Sequence, residues 1–217
     1  MIINKHEKML WTFGRLPKEY QEVEWIGKGA VNTCWLSIPI TELPYGKISI
    51  KWSGSGSSRQ YIFGTYNTSA QRFILTSENS TDVNFFYYYG NSYAEPYITL
   101  SDNRSNVHEY EFKFYQNEYP TLYLDGTLTT TGSRYYVEFA TNNPLCIFAR
   151  YYSGSVQRDT SASTLYYFKY EKEDGTMLFD LVPCYRKSDN VIGMYDLVSN
   201  TFFTNSGTGT FTKGNNI

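Results

Sequence analysis

The sequence has few of the residues from which metal centres and nucleophilic catalytic sites are built. In 217 residues it contains three cysteines and two histidines. Cys34, Cys146 and Cys184 lack the spacing of a metal site, and neither histidine belongs to a Cys/His cluster, so we expect no zinc site and no catalytic triad. Because each cysteine lies among apolar or aromatic residues, we predict buried free thiols, as in proteins that fold in a reducing compartment.

The sequence also has no strong charge of one sign and no long apolar run. The formal net charge is −2 and no basic block occurs, so the electrostatic signature of nucleic-acid binding is missing. No apolar run reaches the length that spans a bilayer, which predicts no membrane insertion. The apolar run at 9–13 is too short for a signal-peptide core, so we expect no export by a signal of the chain's own.

Aromatic residues are abundant: they make up 18% of the chain, with 22 tyrosines. Such residues favour half-buried strands, and clusters of Gly, Ser, Asn and Asp separate the aromatic segments. This spacing predicts one all-β, two-sheet antiparallel sandwich without helices. The predicted strands are 33–38, 47–52, 60–66, 72–76, 83–89, 97–100, 107–116, 121–124, 135–139, 145–151 and 164–171.

Two segments carry the clearest turn signals. Asp125-Gly126 supplies the two positive-φ residues of a tight hairpin. Residues 178–211 alternate in the pattern of three short strands, with S-D-N and S-N as the turns between them, and predict a β-meander.

These motifs resemble those of concanavalin A-like, or laminin-G-like, jelly-roll modules, which are common in phage and gut-bacterial surface proteins. The resemblance is carried by F-D-L-V-P-C-Y-R-K-S-D-N-V-I-G-M-Y-D-L near the end, by Y-L-D-G-T, and by L-P-K-E-Y-Q-E-V-E-W-I, which begins at Leu16. It implies a jelly-roll domain over 16–217 and leaves 1–15 as a separate N-terminal segment.

That segment is too apolar for a plain solvated tail. Met9, Leu10, Trp11 and Phe13 are expected to find a partner surface. We predict a docking arm that packs against another copy of the chain or a neighbouring virion protein. The alternative is that the segment folds back onto the sandwich as an edge strand.

Two pairs of glutamates have the i, i+2 spacing that places both carboxylates on one face of a strand. They are Glu22 with Glu24 and Glu109 with Glu111. Glucanases of concanavalin A-like fold use an E-x-D-x-x-E strand, and neither pair has the third acid. We interpret the pairs as solvated strand faces, and we predict that the chain is not an enzyme.

The aromatic run at 85–89 predicts a strand with rings on both faces. One face must be core, and the other can stack sugar rings beside the polar turn that follows. We predict a ligand site at Tyr87, Tyr89, Asn91 and Tyr93. The alternative is core on one face and a subunit contact or plain surface on the other.

No cofactor is predicted from the residues. Laminin-G-like modules often hold calcium on a rim loop, so the resemblance leaves a calcium ion open at 102–103, 142–143 or 189–190. Asp and Asn are also ordinary turn residues.

The resemblance implies a non-catalytic module of a virion or of a bacterial surface protein. Because no signal segment and no second domain are recognised, we expect a structural or adhesion module of a phage-type virion, folded in the host cytoplasm, that contacts host-surface glycans. Its partners would be other virion or surface proteins, and we expect a homo-oligomer or a place in a larger assembly. The alternative is a lectin-like, carbohydrate-binding module of a bacterial surface protein. A glycosidase is a third hypothesis. Fold alone does not decide among these functions.

Overall fold

The computed structural model describes residues 15–30, 32–56, 58–100 and 103–217. These residues form strands, turns and loops, and the described ranges contain no helix. It follows that none of the described segments is a helix long and apolar enough to cross a membrane.

Twenty-two strands, most of them short, can be followed through the described residues. In chain order they are β1 (Tyr20–Glu22), β2 (Ile26–Lys28), β3 (Leu36–Ile38), β4 (Glu42–Leu43), β5 (Gly46–Gly54), β6 (Gln60–Tyr66), β7 (Arg72–Ser77), β8 (Asp82–Tyr88), β9 (Tyr93–Ala94), β10 (Tyr97–Thr99), β11 (His108–Phe114), β12 (Thr121–Leu124), β13 (Thr127–Thr131), β14 (Phe139–Ala140), β15 (Leu145–Ile147), β16 (Ala149–Tyr152), β17 (Ser155–Arg158), β18 (Ser163–Lys172), β19 (Met177–Arg186), β20 (Ile192–Asp196), β21 (Thr201–Thr204) and β22 (Thr212–Lys213).

Two antiparallel sheets contain most of these strands. The large sheet has the order β13-β12-β11-β5-β18-β19-β20-β21, with β1 beside β19 and with β2 between β18 and β22. The small sheet has the order β10-β8-β7-β6-β15-β3, with β9 beside β8. The sheets face each other across one apolar core, which is the predicted concanavalin A-like jelly-roll sandwich.

Aromatic rings fill much of the space between the sheets. The fully buried Phe73 of β7 lies 5.4 Å from Phe85 in its own sheet, and 5.3 Å from Phe114 and 5.9 Å from Tyr170 in the large sheet, measured between ring centroids. Burying one such side chain contributes roughly 1.5–3 kcal/mol. These contacts fix which face of each sheet is core and which remains outside.

Strand β11 shows the predicted alternation. Tyr110, Phe112 and Phe114 are buried, while Glu111 and Lys113 face outward and form an ion pair at 3.0 Å. The alternation predicted from the sequence is confirmed, and it makes the outer face of the large sheet a charged surface.

Both predicted turn regions are confirmed. Asp125 and Gly126 have φ angles of 48° and 79° and join β12 to β13. The C-terminal meander is formed by β19, β20 and β21, which pair in sequence order.

Two predicted strands differ most from the structure, and a third, at 33–38, is shortened to Leu36–Ile38. The segment 145–151 is broken at Phe148, whose φ of 63° separates β15 from β16. Of the segment 135–139, only its last residue belongs to a strand, because the Tyr136 ring enters the core and its hydroxyl donates to the Leu43 carbonyl at 2.6 Å. In both places the burial of an aromatic side chain in the core interrupts the regular strand.

The three cysteines are free and buried, as predicted. Burial raises the pKa of the Cys146 and Cys184 thiols to about 12, so both remain protonated and unreactive near neutral pH.

Met9, Leu10, Trp11 and Phe13 lie outside the described residues, so the docking arm and its edge-strand alternative stay predictions, as does the domain boundary at residue 16. Arg15 is described, and its guanidinium forms an ion pair with Glu22.

Candidate functional site

The outer face of the small sheet carries aromatic and arginine side chains on β6 to β9. Because neighbouring residues of a strand point to opposite faces, the burial of Phe73 leaves Arg72 and Ile74 facing outward. The register pairs Arg72 with Tyr66 of β6, and Ile74 with Phe86 of β8. These side chains form the floor of a groove of about 230 Å³, which we call the outer groove.

A hairpin of β16 and β17 supplies one wall of the outer groove. It lies against β6, and Gly64 of β6 makes the close approach feasible. A Cβ atom at Gly64 would lie 3.0 Å from the Cβ of Arg150 and 3.0 Å from both Cγ1 and Cγ2 of Ile74. The missing side chain therefore lets Arg150 lie directly over the sheet.

Asp159 ties the end of this hairpin to the sandwich. Its carboxylate accepts hydrogen bonds from the Tyr61 backbone N–H at 2.9 Å and from Lys28 Nζ at 2.8 Å. The Lys28 and Asp159 side chains are both nearly inaccessible to solvent. The wall of the groove is thus held by a buried ion pair, and removing one partner of such a pair is strongly destabilising.

Two guanidinium groups rest on tyrosine rings in the groove. Arg72 lies 3.6 Å from the ring centroid of Tyr93 and 4.8 Å from that of Tyr66. Arg150 lies 4.6 Å from the centroid of Tyr61 and 5.6 Å from that of Tyr66. Each cation–π contact is worth about 0.5–1 kcal/mol at exposed sites, and together they hold the planar groups in place.

The hydrogen bonds of these two arginines leave part of each guanidinium unused. Arg72 Nε donates to the Ser69 carbonyl at 2.8 Å, and Arg150 donates from Nε and Nη2 to Gln157 Oε1 at 2.9 and 2.6 Å. Neither forms an ion pair with any carboxylate of the described ranges. Both therefore keep N–H groups that a ligand can use.

Tyr66 lies between these cations. Burial raises the pKa of the Tyr66 phenol, and the charges of Arg72 and Arg150 offset only part of this effect. The phenol therefore stays protonated over the physiological range and can donate a hydrogen bond.

Two carboxyl groups line the same groove. Glu78 accepts from Arg59 Nε at 2.6 Å and from the Thr76 hydroxyl at 2.8 Å. Glu95 is exposed and accepts a hydrogen bond from Asn84 Nδ2 at 3.1 Å. Glu78 is thus neutralised by an arginine, whereas the carboxylate of Glu95 faces solvent.

A second groove adjoins the first at the edge of the small sheet. This edge groove has a volume of about 340 Å³, and its lining includes Tyr89, Tyr97 and Arg134. The Arg134 guanidinium lies 5.6 Å from the Tyr89 ring centroid. Tyr93 and Glu95 line both grooves, so the two form adjoining parts of one surface.

The structure places the predicted ligand residues in different environments. Tyr87 is fully buried, and its hydroxyl donates to the Arg134 carbonyl at 2.8 Å; the prediction that its ring is an exposed platform is wrong. Burial raises the pKa of Tyr87 to about 12. Tyr89 and Tyr93 line the edge groove and Asn91 is exposed in the turn between them, so ligand binding by these three stays a prediction.

The sequence analysis did not identify Arg72 and Arg150 as site residues, nor the two tyrosines of β6 that they contact. The alternation of R-F-I-L-T-S in β7 contains the signal for Arg72, because burying the phenylalanine and leucine leaves the arginine outside. No comparable signal exists for Arg150, since the turn at Phe148 that brings it to β6 is a tertiary effect.

The two glutamate pairs singled out in the sequence lie elsewhere. Glu22 is paired with Arg15, and Glu24 accepts from the backbone and side-chain nitrogens of Asn215, both at 3.1 Å. Glu111 interacts with Lys113 and belongs, like Glu109, to the outer face of the large sheet. Both pairs therefore lie outside the outer groove.

The loops considered for calcium have other contacts. Asp189 accepts from Arg186, and the Asn143 side chain donates to the Tyr66 carbonyl. Residue 102 lies outside the described ranges, and within them no group of three His, Cys, Asp or Glu residues could hold a metal. A calcium ion on these loops stays a prediction.

No protein-family model and no curated protein matches the chain. Solved structures are similar in fold. A β-glucanase of Bacillus licheniformis aligns at 15% identity and a TM-score of 0.46, over 71% of this chain and 97% of its own. The CBM40 of a Ruminococcus gnavus IT-sialidase, bound to α2,3-sialyllactose, aligns at 16% identity and 0.46, over 64% and 90%. A β-1,3-1,4-glucanase from a mouse hindgut metagenome aligns at 15% and 0.43, over 70% and 95%.

The prediction that the chain is not an enzyme is contradicted by this comparison. The similar structures are mainly enzymes, among them glucanases, laminarinases and the Crh5 transglycosylase. The prediction relied on a missing one-strand acidic motif, but the fold itself brings Glu78 and Glu95 from different segments into one groove. Similarity at this level concerns the fold and assigns neither an activity nor a substrate to the chain.

Proposed function

We propose that the chain binds a glycan on the outer and edge grooves of the small sheet. The observation that carries the proposal is the position of Tyr93, which lines both grooves and is held by Arg72. Sugar recognition needs a flat amphipathic ring with hydrogen-bonding groups at its border. Tyr93 offers the ring, and the Arg72 guanidinium and the Glu95 carboxylate offer the polar groups.

The size and shape of the surface support the same proposal. Two adjoining grooves give room for several sugar units in a row, and further rings lie along them at Tyr66 and Tyr89. Aromatic side chains bring a large contact area at low entropic cost. A neighbouring acid and amide, Glu95 and Asn84, could exchange their mutual hydrogen bond for sugar hydroxyls.

Replacing Tyr93 by alanine tests the proposal. We expect Tyr93→Ala to weaken glycan binding by about tenfold or more, measured by calorimetric titration with a ligand found on a glycan array. Tyr123→Ala is the matched control, because Tyr123 lies under a lysine, 4.3 Å from Lys113 Nζ, on the outer face of the large sheet. Equal losses in the two variants, or none in Tyr93→Ala, would reject this surface as the binding site.

The same preparation should be assayed for cleavage of β-1,3- and β-1,3-1,4-glucans. Glu78 and Glu95 are the carboxyl groups of the outer groove among its described lining residues. If cleavage is found and is lost in Glu78→Gln or Glu95→Gln, the groove processes the glycan that it binds.

For the biological setting, we infer that the module belongs to a phage-type virion, where it assembles with other virion proteins and contacts host-surface glycans. The opening strand at Leu16 and the C-terminal meander resemble modules that are common in phage and gut-bacterial surface proteins, which supports a place on a virion or on a cell surface. A bacterial cell surface is the alternative. Mass spectrometry of purified particles and of bacterial envelopes decides between them: detection in the envelope alone would reject the virion.

A further inference from the structure

We propose that the glycan recognised by this surface carries a carboxylate, which is bound by Arg72 and Arg150 in the outer groove. The inference rests on the proposed function and adds the chemical class of the ligand. It is based on a difference among the arginines, since some form ion pairs with acids and others do not.

Several described arginines are neutralised by an acid. Arg15 pairs with Glu22, Arg59 with Glu78, and Arg186 with Asp189. Three other arginines lie over a tyrosine ring of the two grooves: Arg72, Arg134 and Arg150. These three form no ion pair within the described ranges, so the surface concentrates uncompensated positive charge beside tyrosine rings that are buried or partly buried.

The carboxylates that face Arg72 and Arg150 do not cancel this charge. Glu78 is already bound by Arg59 at 2.6 Å. Glu95 lines the groove but makes its hydrogen bond to Asn84 and no ion pair. Three arginines against two glutamates leave the outer groove with a positive balance.

The geometry of the two guanidinium groups suits a carboxylate. Both lie against the ring of Tyr66 and line one groove. The ring contacts and the hydrogen bonds to Ser69 and Gln157 leave part of each guanidinium unused, and a planar fork of N–H donors matches a carboxylate through two parallel hydrogen bonds. The Tyr66 phenol, which burial keeps protonated, is a neutral donor beside them.

Esterified probes separate charge from shape. The full chain is titrated with two acidic trisaccharides, α-1,4-trigalacturonate and 3′-sialyllactose, each compared with its methyl ester. We expect at least one acid to bind about tenfold more tightly than its ester, with an advantage that shrinks as salt is raised. The pair that shows the effect tells a uronic acid from a sialic acid.

Four variants locate the effect and test its chemistry. Arg72→Gln and Arg150→Gln should reduce the preference for the acid while leaving affinity for the ester nearly unchanged. Arg158→Gln is the control, since Arg158 stacks on Trp35 at 5.0 Å and does not line the groove. Melting temperatures equal to the wild type confirm that the variants fold, and Arg72→Lys tests whether the fork is needed in addition to the charge.

Four outcomes overturn the inference. Esters that bind as tightly as the acids show that the ligand needs no charge, and a loss in the glutamine variants that is equal for acid and ester shows a merely structural role. If only a neutral β-glucan oligosaccharide binds, and Tyr93→Ala abolishes that binding, the proposed function stands without its acidic ligand. If no glycan binds at all, the proposed function fails and the inference fails with it.

Discussion

At the scale of single residues, the outer groove depends on a glycine as much as on its rings and cations. Gly64 lies on the outer face of β6, paired with Ile74, at the point where Arg150 passes over the sheet. Any larger residue there competes with the Arg150 side chain for space. The groove is thus shaped by a missing side chain, which a search for chemical groups in the sequence does not detect.

Gly64→Ala tests this role. The new methyl group would meet neighbours at 3.0 Å, so the hairpin must shift by a few tenths of an ångström. We expect a loss of stability of about 1–3 kcal/mol, typical of an overpacked site, and weaker glycan binding as Arg150 moves. Denaturant unfolding and calorimetric titration measure the two effects.

Gly29→Ala is the matched control for that substitution. A Cβ atom at Gly29 meets no atom within 4 Å, so stability should stay within about 0.5 kcal/mol of the wild type. If Gly64→Ala behaves like Gly29→Ala in both measurements, the close approach of the hairpin to β6 does not shape the site.

The aromatic run at 85–89 shows how far residue patterns can predict the site. Alternation correctly separates two faces, but both are aromatic, so it cannot tell which is core. The structure buries Phe85 and Tyr87 and leaves Phe86 on the outer groove. The decision depends on β7, whose Phe73 and Leu75 pair with Tyr87 and Phe85 in the core, and therefore on tertiary register.

At the scale of secondary-structure elements, local signals predicted the strands that end in regular turns. The Asp125-Gly126 hairpin and the C-terminal meander follow from turn chemistry and alternation, and both are present. The β16–β17 hairpin has a turn signal of its own in Ser153-Gly154, whose φ angles are 49° and 82°, but local signals could not place it over β6. It starts at Phe148, a bulky residue with a positive φ, a conformation that such residues rarely adopt without tertiary compensation.

That compensation can be identified. The Phe148 backbone N–H donates to the Ile62 carbonyl at 2.8 Å, and its ring is fully buried, 5.8 Å from the ring of Phe211. The hydrogen bond and the burial together offset the cost of the unusual backbone. The candidate site therefore depends on contacts between segments that are far apart in the sequence.

At the scale of the whole molecule, the two outer faces of the sandwich differ in charge pairing. On the large sheet, Lys47 lies 3.4 Å from Glu171 and 3.9 Å from Glu111, and Lys169 lies 3.3 Å from Asp180. Such exposed pairs contribute little to stability, but they leave the face electrostatically balanced. The small sheet instead presents stacked arginines without acidic partners, and this asymmetry is why we assign ligand binding to it.

The N-terminal segment is the other feature that concerns the whole molecule. We predict that a chain lacking residues 1–13 keeps its melting temperature but loses assembly, because Met9, Leu10, Trp11 and Phe13 are expected to dock on another chain. Analytical ultracentrifugation of the full-length and shortened chains compares their assembly states, and calorimetry compares their melting temperatures. A melting temperature several degrees lower, as loss of packed aromatic rings would give, would instead support the edge strand.

The most direct test of the central claim is to map the bound glycan on the folded chain. Amide chemical shifts of the ¹⁵N-labelled protein are followed while the best array ligand is added. The claim predicts that the changes centre on Tyr66, Arg72, Phe86, Tyr93 and Arg150, around the two grooves of the small sheet. Changes centred on the charged outer face of the large sheet, with the small sheet undisturbed, would contradict it.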